Sequence, residues 1–484
     1  MTMGHWIIAP VVLPAMLAAL SLFLCPRGAR LLSVAGTAAL LVIAIALIQA
    51  ATVTGPQVYR LGDWPAPFGI TLVLDRLSGL MLLLTAGLAL ITLIQAIATG
   101  WDQRGARFHA LWLFQLMGLN GAFLTGDAFN LFVFFEVLLI ASYGLMVHGG
   151  TGPRLRAGLQ YIAVNLIGST LFLFALATVY AVTGTLNMAD LAAKLPALPA
   201  GDQALMRVAA ILLMLVFALK GALVPLQFWL PGTYAAAPGV VTALFAVMTK
   251  VGAYAALRFG SLVFPPDLAV TQGLIGPLML PAGLITLAVG AIGILGAASL
   301  PRLAAYATLM SMGTVFTALS GFTPLSTTAA LYYMIHSTLA GAALFLIADL
   351  VQARAPGSRL PAGLAALFFA IAIATAGLPP LSGFPAKIMV LMALPVWPVW
   401  TVVLGGTFLA LLGFSRAGSA MFWKPQGQAA ALPAAQAFGP ATLLAALVAL
   451  TVFAGPVTGW LQDTALSLHN PAPYILAHDL PGGA

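Results

Sequence analysis

Apolar runs, each about long enough to cross a lipid bilayer, follow one another along almost the whole chain. A membrane-spanning helix needs about 20 consecutive apolar residues, and short polar or proline- and glycine-containing segments separate the runs. This pattern predicts an all-α polytopic membrane protein with about fourteen transmembrane helices. The predicted spans are residues 6–25, 31–52, 77–99, 108–125, 128–148, 159–183, 208–230, 238–259, 272–297, 302–320, 327–352, 362–393, 397–421 and 437–460.

The composition agrees with a membrane protein and excludes several functions. Hydrophobic residues make up 62% of the chain and charged residues 6%, whereas a soluble domain has about 25% charged residues. The net charge of +8 does not indicate nucleic-acid binding, because the basic residues are scattered rather than clustered. Cys25 is the single cysteine, and we find no phosphate-binding loop, metal-binding motif or catalytic triad. We therefore expect no cofactor, no metal and no enzymatic catalysis by this chain.

The basic residues predict the orientation, because positive charge concentrates in cytoplasmic loops. If the N-terminus is outside, the outer loops carry Arg60, Lys194 and Arg258, with Arg207 and Arg416 near span boundaries. Both termini are then outside, and no basic residue precedes the first run, so we expect that run to be retained rather than cleaved. The cytoplasmic loops carry Arg27, Arg30, Arg104, Arg107, Arg154, Arg156, Arg302, Arg354, Arg359 and Lys424.

Two of the predicted spans contain proline clusters. The seventh reads LKGALVPLQFWLPG and the twelfth contains AGLPPLSGFPAK. Because proline removes a backbone donor and clashes with the preceding turn, both helices should break near mid-membrane. The breaks lie five spans apart, which predicts two inverted five-helix repeats around a transport site. The predicted divisions are 1–107 (helices 1–3), 108–260 (first repeat), 261–424 (second repeat) and 425–484 (helix 14 and an outer tail). LPALPAGDQ, in the 190s and 200s, and the tail from residue 461 read as loops.

Five ionisable residues lie inside apolar runs. The only glutamate, Glu136, lies within LFVFFEVLLIASYGLMV, and Lys220, Lys250 and Lys387 interrupt similar stretches. A charge at a bilayer centre costs roughly 2.5 to 3.5 kcal/mol, and such residues usually mark ion or proton pathways. By span count Glu136 and Lys220 form a natural pair, Lys250 follows, and His336 suits a link between halves because histidine titrates near neutrality. The alternatives are a static ion pair, structural lysines and a packed histidine.

Other polar residues give weaker signals. Asp75, Arg76, Asp127 and Asp349 lie at span boundaries, where we expect charges to be solvated or to anchor the helix. A further group could hold waters along a path, although polar residues also join membrane helices through hydrogen bonds. This group comprises Asn120, Asn130, Gln160, Asn165, Thr249, Ser311 and Ser337.

Three segments together resemble the antiporter-like membrane subunits shared by respiratory complex I, membrane-bound hydrogenases and Mrp-type cation/proton antiporters. These segments are LFVFFEVLLIASYGLMV, ALKGALVPLQFWLPGTYAAAPGVVTALFAVMTKVGAY and AGLPPLSGFPAK. The resemblance covers nearly the whole chain, including the fourteen spans and both breaks. It implies a proton relay through the residues that match the family's glutamate, lysines and histidine: Glu136, Lys220, Lys250, His336 and Lys387.

The resemblance is strongest to the branch represented by the D subunits of Mrp-type antiporters. Lys387 supports this branch, since the complex I subunits most like this chain usually carry glutamate there. The branch includes the larger Pha system, so the implied cation is Na⁺ or K⁺. The implied location is a bacterial inner membrane, and the implied partners are other hydrophobic subunits, the lipid bilayer, protons and the cation. Two alternatives remain: a proton-pumping subunit of a redox complex, and a stand-alone transporter of an organic solute.

Overall fold

The computed structural model describes residues 3–354, 359–423 and 431–480. Almost all of this chain is helical. Lys424, one of the basic residues predicted on the cytoplasmic side, lies outside the described residues. The helices of the first half are α1 (Ala9–Ser21), α2 (Pro26–Thr54), α3 (Arg76–Ala98), α4 (Phe108–Leu124), α5 (Ala128–Met146), α6 (Gly152–Thr183), α7 (Met188–Lys194), α8 (Ala200–Lys220), α9 (Trp229–Ala236) and α10 (Gly239–Arg258).

The second half continues the same pattern of long apolar helices. A π-helix (Phe259–Val263) extends α10 by about a turn. The remaining helices are α11 (Ile275–Gly296), α12 (Leu300–Leu319), α13 (Pro324–Gln352), α14 (Ala362–Ala376), α15 (Gly383–Ala393), α16 (Trp397–Phe422), α17 (Ala434–Val452), α18 (Ala454–Leu468) and α19 (Ala472–Leu476).

Ten of the described helices are long and apolar enough to cross a membrane, and four shorter ones are also apolar. The ten are α2, α3, α5, α6, α8, α10, α11, α13, α16 and α17, so the prediction of a helical, multi-pass membrane protein is confirmed. Burial differs strongly among them. The spanning part of α10 is buried throughout and that of α13 is 83% buried, whereas that of α17 is 28% buried. The helices that carry Lys250 and His336 are therefore the central ones of the bundle.

The chain leaves helical geometry at both proline clusters. In the seventh predicted span, α8 ends at Lys220 and α9 begins at Trp229. In the twelfth, α14 ends at Ala376 and α15 begins at Gly383. The indole Nε1 of Trp229 donates a hydrogen bond of 3.1 Å to the carbonyl of Leu219, which holds the two pieces of the first broken helix together.

Two local assignments from the sequence are wrong, and one element was missed. Residues 200–203, the end of the segment LPALPAGDQ that was read as a loop, form the first turn of α8, where Pro199 supplies a φ of −57° at the N-cap. The tail beyond residue 461 is partly helical, because Leu461, Ala465 and Leu468 recur at helical spacing and are buried. A two-stranded sheet, β1 (Gln57–Arg60) and β2 (Thr71–Leu74), was not predicted. Its four-residue strands are too short to show a clear alternation of polar and apolar residues.

One end of the bundle carries a buried ion pair. Asp75 caps the N-terminus of α3 by accepting a hydrogen bond of 2.8 Å from the Ser78 amide. The same carboxylate receives the Arg258 guanidinium through two bonds of 2.5 and 2.9 Å. The sequence analysis placed Arg258 in an outer loop. This prediction is wrong, because Arg258 is the last residue of α10 and is buried. The pair fastens the central helix to α3.

The N-cap of α5 provides a pH-dependent contribution to stability. Burial raises the pKa of Asp127 to about 6, although its carboxylate accepts the Asn130 amide at 2.8 Å. An unfolded aspartate ionises near 3.9. The folded protein therefore binds more protons than the unfolded chain between about pH 4 and 6, and stability falls as the pH rises through this window.

Asp127→Asn is expected to stabilise the protein above pH 6 by on the order of 2 to 3 kcal/mol, because it removes the buried charge. The asparagine carbonyl can still cap α5. Thermal unfolding of the purified protein between pH 4 and 8 measures the effect, and the variant curve should lose the decline across pH 4 to 6. Parallel curves for the variant and the wild type would contradict this account of Asp127.

Candidate functional site

The first break in the bundle holds Lys220 beside α6. Lys220 is the last residue of α8, and its ammonium donates a hydrogen bond of 3.1 Å to Oδ1 of Asn165. The ammonium also lies 5.7 Å from the centre of the Phe135 ring, on α5. A cavity of about 10 Å³ adjoins Lys220, Asn165 and Thr249. This is about the space that one water molecule requires, so the break beside the lysine has room for one water.

Glu136, on α5, is bound by another residue of α6, the helix that also carries Asn165. The hydroxyl of Ser169 on α6 donates a hydrogen bond to Oε1 of Glu136. The structure does not place Glu136 directly against Lys220: each of the two has its own polar partner on α6. Asn165 and Ser169 are four residues apart, so they lie on one face of α6. One face of α6 therefore supplies a hydroxyl to the Glu136 carboxylate and an amide oxygen to the Lys220 ammonium.

Lys250 lies deeper than Lys220 and has a different environment. It occupies the middle of α10 and is fully buried, with 0% of its surface exposed. Its ammonium makes no hydrogen bond or ion pair with any residue of the described chain. Gly252 lets α10 approach the first break: a Cβ there would lie 2.6 Å from the Phe217 carbonyl. The central lysine is thus packed next to the broken helix but left without a partner among the described residues.

The second break brings His336 and Lys387 together. Nδ1 of His336, on α13, is 2.9 Å from the hydroxyl of Ser382, within the break between α14 and α15. Lys387 donates hydrogen bonds of 2.7 Å to the carbonyl of Ala376 and to the hydroxyl of Thr407. Since Ala376 ends α14, the ammonium lies at the negative end of that helix dipole. Lys387 therefore bridges the two pieces of its own broken helix.

His336 lies on α13, which packs against α10, the helix of Lys250, and against α15, the helix of Lys387. A second cavity of about 10 Å³ lies beside it and is lined by Thr308, Ser311 and Ser337. Gly383 allows the tight fold of the break, since a Cβ there would collide with the Ala374 carbonyl. A histidine next to a water-sized polar cavity can pass a proton between neighbours.

The two central helices are tied to each other at one end. The Asp349 carboxylate, near the end of α13, accepts the indole Nε1 of Trp101 at 2.7 Å and the Gly239 amide at 3.3 Å. Gly239 is the first residue of α10. Asp349 therefore anchors α10 to α13, one of the two roles expected for a boundary charge.

Sequence reasoning singled out Asn165 but missed Ser169, Ser382 and Thr407. A signal for Ser169 was present, because Tyr161, Asn165 and Ser169 recur every fourth residue along α6. All three are buried, and the Tyr161 hydroxyl lies 2.9 Å from the Ser142 hydroxyl on α5. A polar stripe at helical spacing on a membrane helix indicates a face turned to other helices. Ser382 and Thr407 carry no comparable pattern.

This arrangement of broken helices and buried lysines matches a known family. The model of the family described as "NADH:quinone oxidoreductase/Mrp antiporter, TM" matches residues 125–413. The chain belongs to this family. The match covers α5 to α16 almost completely and so includes all five relay candidates. The resemblance seen in the sequence is confirmed.

Relatives of this antiporter family match nearly end to end. The chain is 38% identical to the D subunit of a probable K(+)/H(+) antiporter of Rhizobium meliloti (strain 1021), over 97% of this chain and 96% of the relative. It is 36% identical to the D subunit of the Na(+)/H(+) antiporter of Bacillus subtilis (strain 168), over 98% and 99%. These relatives are named as antiporter subunits, which are transporters rather than enzymes.

A solved structure supports the same family membership. The fold superimposes on a chain of the Mrp complex from Dietzia sp. DQ12-45-1b with a TM-score of 0.91 and 26% identity. The superposition covers 99% of this chain and 100% of the other. The antiporter-family fold therefore extends over the entire described chain rather than over the matched central segment alone.

Proposed function

We propose that the chain is the proton-translocating membrane subunit of a multisubunit Mrp-type monovalent cation/proton antiporter. The observation that carries this proposal is the row of buried ionisable residues at two helix breaks and on the two central helices. Such residues inside a membrane usually mark ion or proton pathways. The named relatives exchange Na⁺ or K⁺ for protons, so the cation of this complex is one of these two.

The proposed relay begins at Glu136 and ends at Lys387. Protons pass from the Glu136 region to Lys220 through water held along the face of α6 that carries Ser169 and Asn165, then to Lys250, to His336 and to Lys387. The small cavities beside Lys220 and His336 each have room for a water that links neighbouring groups. A buried lysine without a partner favours its neutral form, and a nearby carboxylate favours the charged form. Small changes in the separation of Glu136 and Lys220 would thus move a proton.

The proposal includes an architecture and a topology. Fourteen spans form two inverted five-helix repeats, each with one broken helix, and both termini face the outer side of a bacterial inner membrane. The two breaks support the repeats, since discontinuous helices at equivalent positions are typical of inverted-repeat transporters. Other hydrophobic subunits, lipids, protons and the cation are the proposed partners.

Lys220→Ala tests the first half of the relay. In vesicles containing the whole purified complex, we expect cation-driven proton movement to fall about tenfold. This loss is smaller than the loss that usually follows removal of one proton-transfer group. Residual transport is expected, because truncation enlarges the cavity and admits water. Lys194→Ala is the matched control: Lys194 is half-exposed and pairs with Asp190 four residues earlier. Full activity in Lys220→Ala vesicles would rule out the role of this lysine.

A second candidate is a proton-pumping subunit of a quinone-reducing complex. The description of the matched family supports this second candidate, because it names NADH:quinone oxidoreductase as well as the Mrp antiporter. The chains that co-purify with this protein decide between the two functions. Small hydrophobic partner subunits would support the antiporter, whereas subunits carrying flavin and iron–sulfur clusters would support the redox complex.

A further inference from the structure

A large cavity opens at one end of the bundle, away from the relay. Its volume is about 750 Å³, within the range of small-molecule sites. It lies where α1 ends and where both α2 and α4 begin. The charged and titratable side chains that line it are Arg27, Arg30, Asp102, Arg107 and His109.

The lining of this cavity is predominantly positive. Arg30 is engaged by Asp102, through bonds of 2.8 Å from Nε and 2.7 Å from the terminal nitrogen. Arg27 and Arg107 are exposed and make no ion pair with any part of the chain that the structure describes. Three arginines against one aspartate leave an excess of two positive charges, which favours an anionic group.

Two helix N-termini add to this positive field. The 29-residue α2 and the 17-residue α4 both begin at the cavity, and neither has a side chain capping its first amides. Free amides and the helix dipole together favour a bound phosphate. The N-cap residue of α4 is Arg107, which has a φ of +64°. This left-handed conformation is costly for a residue with a side chain, and such strain clusters at ligand-binding positions.

The cavity also offers a hydrogen-bond acceptor in its wall. Asp102 is 7% exposed, and its Oδ1 has no hydrogen-bond partner among the described residues. A buried carboxylate oxygen without a donor is costly. A ligand that fits this cavity therefore carries a hydrogen-bond donor as well as an anionic group.

The surface beside the cavity is apolar. Phe23 is 86% exposed and Leu31 is 73% exposed, and Leu22 and Leu24 line the cavity itself. Both the cavity and this apolar surface lie at helix ends, the depth at which lipid headgroups meet acyl chains. Basic pockets between membrane helices on the cytoplasmic side bind the phosphate groups of lipids such as cardiolipin, and the phosphate is the group that this cavity shares with them.

We propose that this cavity binds a phosphatidylethanolamine-type phospholipid. The phosphate binds Arg27, Arg107 and the free amides in the first turns of α2 and α4. In α2 these amides begin at Arg27, because Pro26 has no N–H. The ammonium of the headgroup donates to the Asp102 carboxylate, and the acyl chains lie against Phe23 and Leu31. This site is separate from the proton relay, and the proposal does not depend on the transported cation.

The test compares lipid binding by the delipidated, purified complex in native mass spectrometry. Arg27→Gln with Arg107→Gln should weaken binding of phosphatidylethanolamine about 30-fold, as expected for the loss of two arginine–phosphate contacts at a membrane surface. Arg156→Gln with Arg302→Gln is the control, because it removes the same charge from two exposed arginines outside the cavity. Equal lipid affinity in the two double variants would overturn the site.

Headgroup chemistry provides an independent readout. Phosphatidylcholine carries the same phosphate but no N–H donor, so it should bind more weakly than phosphatidylethanolamine, and Asp102→Asn should reduce this preference. Equal binding of the two lipids overturns the assigned headgroup. Inorganic phosphate is the third arm, and binding of phosphate without any lipid preference would overturn the lipid proposal. A photoactivatable phosphatidylethanolamine should label the end of α1, and labelling confined to other helices would also contradict it.

Discussion

Replacing Lys250 with methionine is expected to abolish cation-driven proton movement, by at least about a hundredfold, while leaving the complex as stable as the wild type or more stable. A removed proton-transfer group costs about 10² to 10⁴ in rate. Lys250 is fully buried on the central helix α10 and makes no hydrogen bond or ion pair with the described residues. Methionine fills nearly the same volume, so the packing is preserved while the proton carrier is lost.

Measurements of stability and of transport therefore distinguish a structural role of Lys250 from a role in proton transfer. If Lys250 had a structural role, its replacement would lower the stability of the protein. A buried amine without a hydrogen-bond partner instead lowers stability, whether neutral or charged, and its removal relieves that cost. Thermal unfolding of the purified complex and proton uptake in vesicles are the two measurements, with Lys194→Met as the control at a half-exposed position. A Lys250→Met complex that transports normally, or that no longer assembles, would contradict a relay role.

Much of the fold follows from the pattern of apolar residues. Each predicted span corresponds to a helix or to a broken pair of helices, since a run of about 20 apolar residues has few other stable structures. The breaks follow from proline chemistry at Pro225 and Pro379. The short strands and the helices of the tail were missed because their few residues carry too weak a periodicity. The contact between Asp75 and Arg258 could not be found, because 183 residues separate them.

The candidate site, like the fold, could be predicted only in part from the sequence. Charged residues inside apolar runs are conspicuous, so Glu136, Lys220 and Lys250 stand out from the sequence alone. Their immediate partners are harder to find, because serine and asparagine are common on membrane helices. Asn165 was singled out as one of several polar residues, whereas Ser169, which binds the glutamate, is marked only by its place in the stripe with Tyr161 and Asn165. The geometry of the relay depends on such neutral groups, which composition does not reveal.

Breaking the ion pair between Asp75 and Arg258 is expected to cause a larger loss of stability than any of the other substitutions described. Asp75→Asn should lower the free energy of unfolding by about 3 to 5 kcal/mol, because it leaves a buried guanidinium without a counter-charge. The asparagine can still cap α3, so loss of the cap does not explain the effect. Arg258 also stacks near the rings of Tyr254 and Tyr474, at 5.5 and 5.4 Å. These rings do not replace the carboxylate, since a ring quadrupole attracts a cation but carries no counter-charge.

A double-mutant cycle separates the pair from its surroundings. Asp75→Asn combined with Arg258→Met should recover most of the lost stability, since replacing both partners of a buried pair is often nearly neutral. Asp463→Asn is the control: its salt bridge to Arg76 spans 3.4 Å and the Asp463 side chain is 64% exposed, so its loss should cost less than about 1 kcal/mol. Additive single effects, measured by denaturation of the purified protein, would show that the two residues are not coupled. Strong coupling would instead establish that α10 is fastened to α3 by this pair, which holds Lys250 at a fixed depth.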